Sequence, residues 1–302
     1  MKPEKLQGII IAMPTPLLKN EDIDIPSLYK LIDYCIDEGV SGIMIAGTMG
    51  EGPALITSQR RLLIEETVAH TAGRIPILAT VSAPSTRKTI EHVKSIEKSG
   101  ADYIVCTSPF YYKYPDPDSL IWHIRTIADA TDMPIIFYNA SSFTGNQVSV
   151  DTTEEILNMK EVAGIKDSSC NFRNFAELLR RYPDKETRPA TIMQGDESVF
   201  DCSLLMGADG MVSGGGIFYI KLLLELYQAG ISNDIFSAMK CQQQFSAQLS
   251  DLLMPNPQRD WVYKIKSRLA EMNIIRNGYV TTPFYSSTEP DGNKYFLLEK
   301  SN

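Results

Sequence analysis

Short, almost unbroken apolar runs recur along this chain, each followed by an amphipathic segment. They span 8–13 (GIIIAM), 42–46, 76–81, 102–106, 134–138, 162–165, 190–194 and 209–213. Helical segments stand between them, near 26–38, 58–72, 86–99, 118–130, 151–160, 172–182, 197–206 and 218–229. An apolar run without alternation suits a strand buried on both faces, as in a parallel sheet covered by helices. Eight strand–helix pairs predict a (β/α)8 TIM barrel, an α/β fold, over residues 1–230. A doubly wound open sheet is the alternative, but it would show fewer repeats and a glycine-rich first turn. The joints between helix and strand repeat as well: DEGVSGIMI, KSGADYIV and LMGADGMVS are near-copies. Ile25-Pro26-Ser27 and Ser85-Thr86 read as helix starts, and Gly39, Gly73 and Gly100 as residues just past helix ends.

Residues 231–302 read as an additional C-terminal helical extension packed on the barrel. Within it, 256–277 is amphipathic, with Trp261, Ile265, Leu269 and Met272 on one stripe. These helices are expected to close the barrel and to help build an oligomer. The tail from Gly278 starts irregular, with one short helix expected near its end. A length of 302 residues would allow two domains, yet α/β barrels routinely reach this size as one. The net charge of −8, without a basic patch, argues against nucleic acid as a partner. Five scattered cysteines with no C-x-x-C pair fit a reducing, cytoplasmic compartment and no disulfide framework or zinc site. The three histidines, His70, His92 and His123, all fall in helical segments, so no metal centre is expected. The opening apolar run is too short for a signal peptide, and nothing approaches the roughly 18 apolar residues of a membrane span.

Catalytic groups of such a barrel stand at the C-terminal ends of its strands. Lys166 ends the run Val162-Ala163-Gly164-Ile165, and Tyr138, twenty-eight residues earlier, ends Pro134-Ile135-Ile136-Phe137. That separation is one strand–helix–strand unit, so the two side chains should share one end of adjacent strands, about 4.8 Å apart. An amine beside a phenol in a dry pocket suits Schiff-base chemistry. Burial away from carboxylates favours the neutral amine, which attacks a ketone, and the iminium then draws electrons from the neighbouring carbon–carbon bond. The proton must be relayed, and Tyr138, Thr48 and Tyr111 are the available hydroxyls. The turn 47–51 can offer backbone N–H groups to a carboxylate. Blander roles stand beside these: an ion pair for Lys166, core packing for Tyr138, a turn residue for Thr48, and interface packing for Tyr111 with Tyr112 and Tyr114. Glu51 reads as a helix-start acid. Gly214-Gly215-Gly216 reads as a phosphate cradle or simply a tight turn.

From about residue 5 to about 280 the sequence resembles the dihydrodipicolinate synthase and N-acetylneuraminate lyase family of pyruvate-dependent class I aldolases. Gly47-Thr48-Met49-Gly50-Glu51 matches that family's G-[TS]-T-G-E, and Ser108-Pro109-Phe110-Tyr111-Tyr112 its T-P-[FY]-Y. Tyr138 to Gly145 matches Y-N-x-P-x-x-[TS]-G, and Gly164-Ile165-Lys166-Asp167 matches G-[IL]-K-[DE]. Gly195-Asp196-Glu197 and Leu205 to Gly210 complete the series in order. The resemblance implies a homotetramer, no metal or organic cofactor, Lys166 as the Schiff-base lysine and Tyr138 as proton relay. It implies that Thr48 links Tyr138 to Tyr111 of a neighbouring subunit. It puts Met49, Val212, Gly195 and Phe143 among the substrate-binding residues, Met49 through its backbone N–H against the pyruvate carboxylate.

Four positions depart from the pattern. Met49 replaces a hydroxyl residue and Ser141 a proline. Phe143 stands where the synthases carry an arginine for the second substrate's carboxylate. Ser198 stands where sialic-acid lyases carry a glutamate. The leading expectation is a lyase that cleaves or forms a 4-hydroxy-2-oxo acid from pyruvate and an aldehyde. A synthase-type condensation and a sugar-acid dehydratase use the same iminium. A non-catalytic barrel is disfavoured by the intact Lys-Tyr-Thr set.

Overall fold

The computed structural model describes residues 5–114, 116–254 and 261–284. Eight parallel strands close into a barrel in chain order. They are β1 (Gly8–Ala12), β2 (Gly42–Ile45), β3 (Ile77–Thr80), β4 (Tyr103–Thr107), β5 (Ile135–Asn139), β6 (Val162–Asp167), β7 (Thr191–Gln194) and β8 (Gly210–Ser213). β8 pairs back onto β1, so the sheet has no edge. Each strand falls within two residues of an apolar run in the sequence. Every strand residue but the half-buried Ala163 is buried, because inward side chains fill the barrel and outward ones meet helices.

The helices are α1 (Ile25–Asp37), α2 (Thr57–Thr71), α3 (Thr86–Ile96), α4 (Pro117–Ala128), α5 (Ser141–Thr144), α6 (Val150–Leu157), α7 (Phe172–Arg181), α8 (Phe200–Leu205) and α9 (Ile220–Ile231). Beyond them α10 (Ile235–Leu253) lies against α8 and α9, and α11 (Trp261–Glu271) lies against α10. Side-chain caps set the starts: Asp24 accepts the Ser27 amide and Ser85 the Lys88 amide. Gly39, Gly73 and Gly100 all take positive φ just past their helices.

Three local expectations need correction. The short helix α5, which the sequence pattern did not reveal, follows β5 directly. α8 begins at Phe200 rather than 197, because Asp196 Oδ1 accepts the Ser198 amide at 3.0 Å and hydroxyl at 2.7 Å and so holds a turn there. On α11 the buried face is Val262, Ile265, Lys266 and Leu269, with Trp261 half-buried. Met272 lies past the helix end and is 39% exposed, since the chain turns through Asn273 at φ +58°. The expected short helix in the tail falls outside the described residues. Among the described residues no helix is long and apolar enough to cross a membrane.

Candidate active site

β5 and β6 pair in a register that sets Tyr138 opposite Lys166 and Asn139 opposite Asp167. The first pair faces the barrel mouth. Lys166 Nζ lies 4.3 Å from the centre of the Tyr138 ring and 3.7 Å from Met44 Sδ, a weak acceptor on β2. Both side chains are buried, and among the described residues no carboxylate forms an ion pair with Lys166. The second pair is a clamp. Asp167 accepts hydrogen bonds from Asn139 Nδ2 at 2.9 Å, the Ser169 amide at 2.9 Å and the Ser169 hydroxyl at 2.6 Å. Burial pushes the Asp167 carboxyl above its usual range, and these donors oppose the shift. Ser141, which replaces a proline of the resembled motif, donates to Asn139 Oδ1 at 2.8 Å and ties α5 to the clamp.

The turn after β2 carries Thr48 and Met49. Thr48 Oγ1 stands 3.5 Å from the Tyr138 hydroxyl. This is longer than a made hydroxyl bond but within reach of closure around a substrate. The backbone N–H groups of Thr48 and Met49 have no partner among the described residues. Three fastenings hold the turn. Thr15 donates to the Gly50 carbonyl at 2.6 Å, and Arg60 to the Gly52 carbonyl at 2.6 Å. The third is Glu51, which stands just before the 3-10 turn Gly52–Ala54, as a helix-start acid would, but whose side chain caps no amide there. It takes φ +56°, is fully buried, and pairs with Lys266 of α11, itself fully buried. Its other oxygen accepts the Thr281 amide at 2.6 Å and hydroxyl at 2.8 Å. Burial pulls the Lys266 ammonium below the ordinary lysine value, and the Glu51 carboxylate opposes this. Gly52 is required by close approach, since a β-carbon there would stand 1.7 Å from the Ala46 carbonyl oxygen.

A cavity of about 540 Å³ opens over the pair, lined by Lys166, Tyr138, Thr48, Met49, Val212 and Gly195. A β-carbon at Gly195 would lie 3.0 Å from Lys166 Cε and 2.1 Å from Ser168 Oγ, so the missing side chain leaves the lysine its room. A neighbouring cavity of about 380 Å³ shares Thr48, Tyr138, Phe143 and Trp261 with the first. Phe143, on α5, is 58% exposed and borders both. The glycine loop after β8 is no phosphate cradle. Glu197 Oε1 already accepts the amides of Gly214 at 3.0 Å and Gly215 at 2.9 Å, together with the Ser213 hydroxyl, and would repel an anion there.

The profile of the dihydrodipicolinate synthetase family matches residues 5–296. The chain belongs to that family. The 4-hydroxy-tetrahydrodipicolinate synthase of Nitrosomonas europaea is 31% identical over 271 residues, 89% of each chain. That of Methanothermobacter thermautotrophicus is 31% identical over 78% of this chain and 83% of its own. The crystal structure of a dihydrodipicolinate synthase from Acinetobacter baumannii, complexed with pyruvate, superposes with a TM-score of 0.85 at 29% identity over 94% of both chains. Enzymes of the family are carbon–carbon lyases of the aldolase type that carry pyruvate as an imine on a lysine, without an external cofactor. This chain is a lyase of that group.

Of the residues singled out in the sequence, Lys166, Tyr138, Thr48, Met49, Val212, Gly195 and Phe143 converge in this family member. Tyr111 does not join them within one chain. It lines neither cavity, is 83% exposed and takes φ +82°, a conformation costing a tyrosine about 1–3 kcal/mol. Ser198 borders the Lys166 cavity with its hydroxyl turned to Asp196. The sequence reading missed the Asn139–Asp167 clamp and the Glu51–Lys266 pair. A lysine on the apolar stripe of α11 was the signal for the second.

Proposed function

We propose that Lys166 is the imine-forming lysine of this enzyme and Tyr138 its proton carrier. The observation that carries this is their pairing: a buried amine beside a buried phenol, open to a cavity, with no carboxylate among the described residues paired to the amine. The Lys166 amine adds to the pyruvate ketone, water leaves, and an iminium forms. Loss of a methyl proton gives the enamine, whose carbon joins the aldehyde carbonyl. Hydrolysis then frees Lys166, and cleavage is the same path reversed. Tyr138 moves the protons, linked by Thr48 to the hydroxyl of Tyr111 from a second copy of the chain. The N–H groups of Thr48 and Met49, unpaired among the described residues, receive the pyruvate carboxylate, and Val212 and Gly195 shape the pocket around it.

The exposure and strain of Tyr111 support an assembly of at least two copies, and the resemblance supports a homotetramer. Mixing Lys166→Ala with Tyr111→Phe chains and reassembling them should restore part of the activity. A fully active monomer in light scattering would refute the shared site. All five cysteines are free, which fits a reducing cytoplasm.

For the second substrate, the names of the relatives favour the synthase-type condensation over an aldolase reaction on one particular 4-hydroxy-2-oxo acid. Phe143 then restricts the aldehyde. Its ring borders both cavities and offers only apolar surface, which cannot compensate a desolvated anion. The aldehyde half is therefore neutral or apolar at that point. The test is kcat/KM for aspartate semialdehyde against neutral hydroxy-aldehydes and apolar aldehydes. Efficient use of the semialdehyde by the wild type would restore the synthase reaction itself as the function.

A further inference from the structure

The loop from Ser108 to Tyr114 does something unusual with a tyrosine. It turns Tyr111 out of the barrel at 83% exposure and through φ +82°, where a side chain is disfavoured. Tyr112 follows, its ring edge-on to Tyr111 with centroids 5.0 Å apart. Such a conformation persists only where the surroundings over-determine it, so the restraint should be visible.

It comes from one side chain on another loop. Asn146 is 5% exposed. Its amide nitrogen donates to the carbonyls of Pro109 at 2.8 Å and Tyr112 at 3.1 Å, on either side of Tyr111. Its amide oxygen accepts the Tyr114 backbone N–H at 2.7 Å. An amide side chain offers both functions, and this one uses them on three backbone groups of a single loop. A third, longer contact from the nitrogen reaches the Thr144 carbonyl at 3.3 Å. The position of Asn146 is itself built. α5 ends at Gly145, φ +74°, which turns the chain back toward the β4 loop. Ser108 Oγ also donates to Thr144 Oγ1 at 3.0 Å, so the two loops are joined at both ends. Phe143 and Tyr111 therefore ride on segments fastened to each other.

We infer that Asn146 is a positioning residue of this enzyme: it holds the 109–114 loop so that Tyr111 is presented, strained and outward, to the relay. The inference rests on the reading of Tyr111 as a relay hydroxyl. Asn146 touches no substrate and acts only through the loop.

The test is a double-mutant cycle in the full-length assembly, with kcat and borohydride trapping of pyruvate on Lys166 measured for each variant. Tyr111→Phe should lower kcat on the order of 10²-fold, the lower range for a proton-transfer group, with trapping retained. Asn146→Ala should lower kcat by about as much, also with trapping retained. In the Tyr111→Phe background it should add less than about threefold, because residues acting as one unit are non-additive. Asn146→Asp keeps the acceptor for Tyr114 and loses the donor, and should behave as Asn146→Ala; it replaces that variant should the alanine chain not fold. Either substitution keeping kcat within about threefold of wild type would overturn the inference, as would full additivity with Tyr111→Phe. So would trapping that falls in step with kcat, which marks a merely structural residue. Absence of trapping in the wild type is a different failure. It removes the imine reading, whereas normal wild-type trapping with additive losses removes only the role of Asn146.

Discussion

Replacing Lys266 with methionine should weaken both the fold and the grip on pyruvate, although Lys266 is not among the residues lining the Lys166 cavity. Its ammonium is fully buried, paired with the equally buried Glu51 and donating to the Tyr279 carbonyl at 2.7 Å. Methionine fills a similar volume but leaves the Glu51 carboxylate buried with only the two Thr281 donors. Breaking one side of a buried ion pair costs about 3–5 kcal/mol, and full burial removes any reason to discount this for solvent screening. With a urea m-value of about 3 kcal/mol/M the midpoint should fall by about 1–1.7 M. The fluorescence of Trp261, at the start of the same helix, can follow the transition. Glu51→Gln together with Lys266→Met removes both charges and should recover most of the loss. The same change loosens the turn bearing Thr48 and Met49. The pyruvate KM should therefore rise in Lys266→Met while borohydride still labels Lys166. A loss below about 1 kcal/mol would refute the reasoning. So would a double variant as unstable as the sum of its parents, or an unchanged KM.

Burial pulls the His123 imidazole down to about 4 from its ordinary value of 6.5. The unfolded chain then binds the extra proton first, so stability falls as pH drops from about 6.5 toward 4, by up to about 3 kcal/mol. A His123→Gln chain should show a flatter stability–pH profile there by urea unfolding, and an unaltered slope would reject the assignment. Tyr138→Phe should slow turnover by about 10²–10⁴-fold while leaving pyruvate trapping on Lys166 near normal, and a near-normal rate would mean another proton carrier. Phe143→Arg should raise kcat/KM for aspartate semialdehyde by about tenfold or more, since one charge-assisted bond contributes about 1.5–3 kcal/mol. No gain would mean that residue 143 does not face the aldehyde.

The barrel was legible because parallel strands buried on both faces leave a mark that survives without an alignment: unbroken apolar runs such as Ile9-Ile10-Ile11 and Ile104-Val105-Cys106. Lys166 and Tyr138 were legible for the same reason, as polar residues ending such runs one strand–helix–strand unit apart. What escaped depends on side chains meeting across long stretches of sequence. Glu51 looked like a helix-start acid because the acid is common there, and its partners lie 215 and 230 residues away. The run Gly214-Gly215-Gly216 looked anion-binding because free amides favour anions, but Glu197 already occupies them. The stripe on α11 extended one turn too far to Met272, since a helical period does not say where the helix ends. Helix α5 is a single turn, too short for any periodicity to register, although it carries Phe143.

The central claim is an imine between pyruvate and Lys166. Incubating the enzyme with pyruvate and sodium borohydride, then mapping peptides by mass spectrometry, tests it directly. A reduced pyruvyl adduct on the peptide containing Lys166, absent without pyruvate and absent in a folded Lys166→Ala chain, is the predicted result. An adduct on another lysine, or none in protein that still turns over, would contradict it.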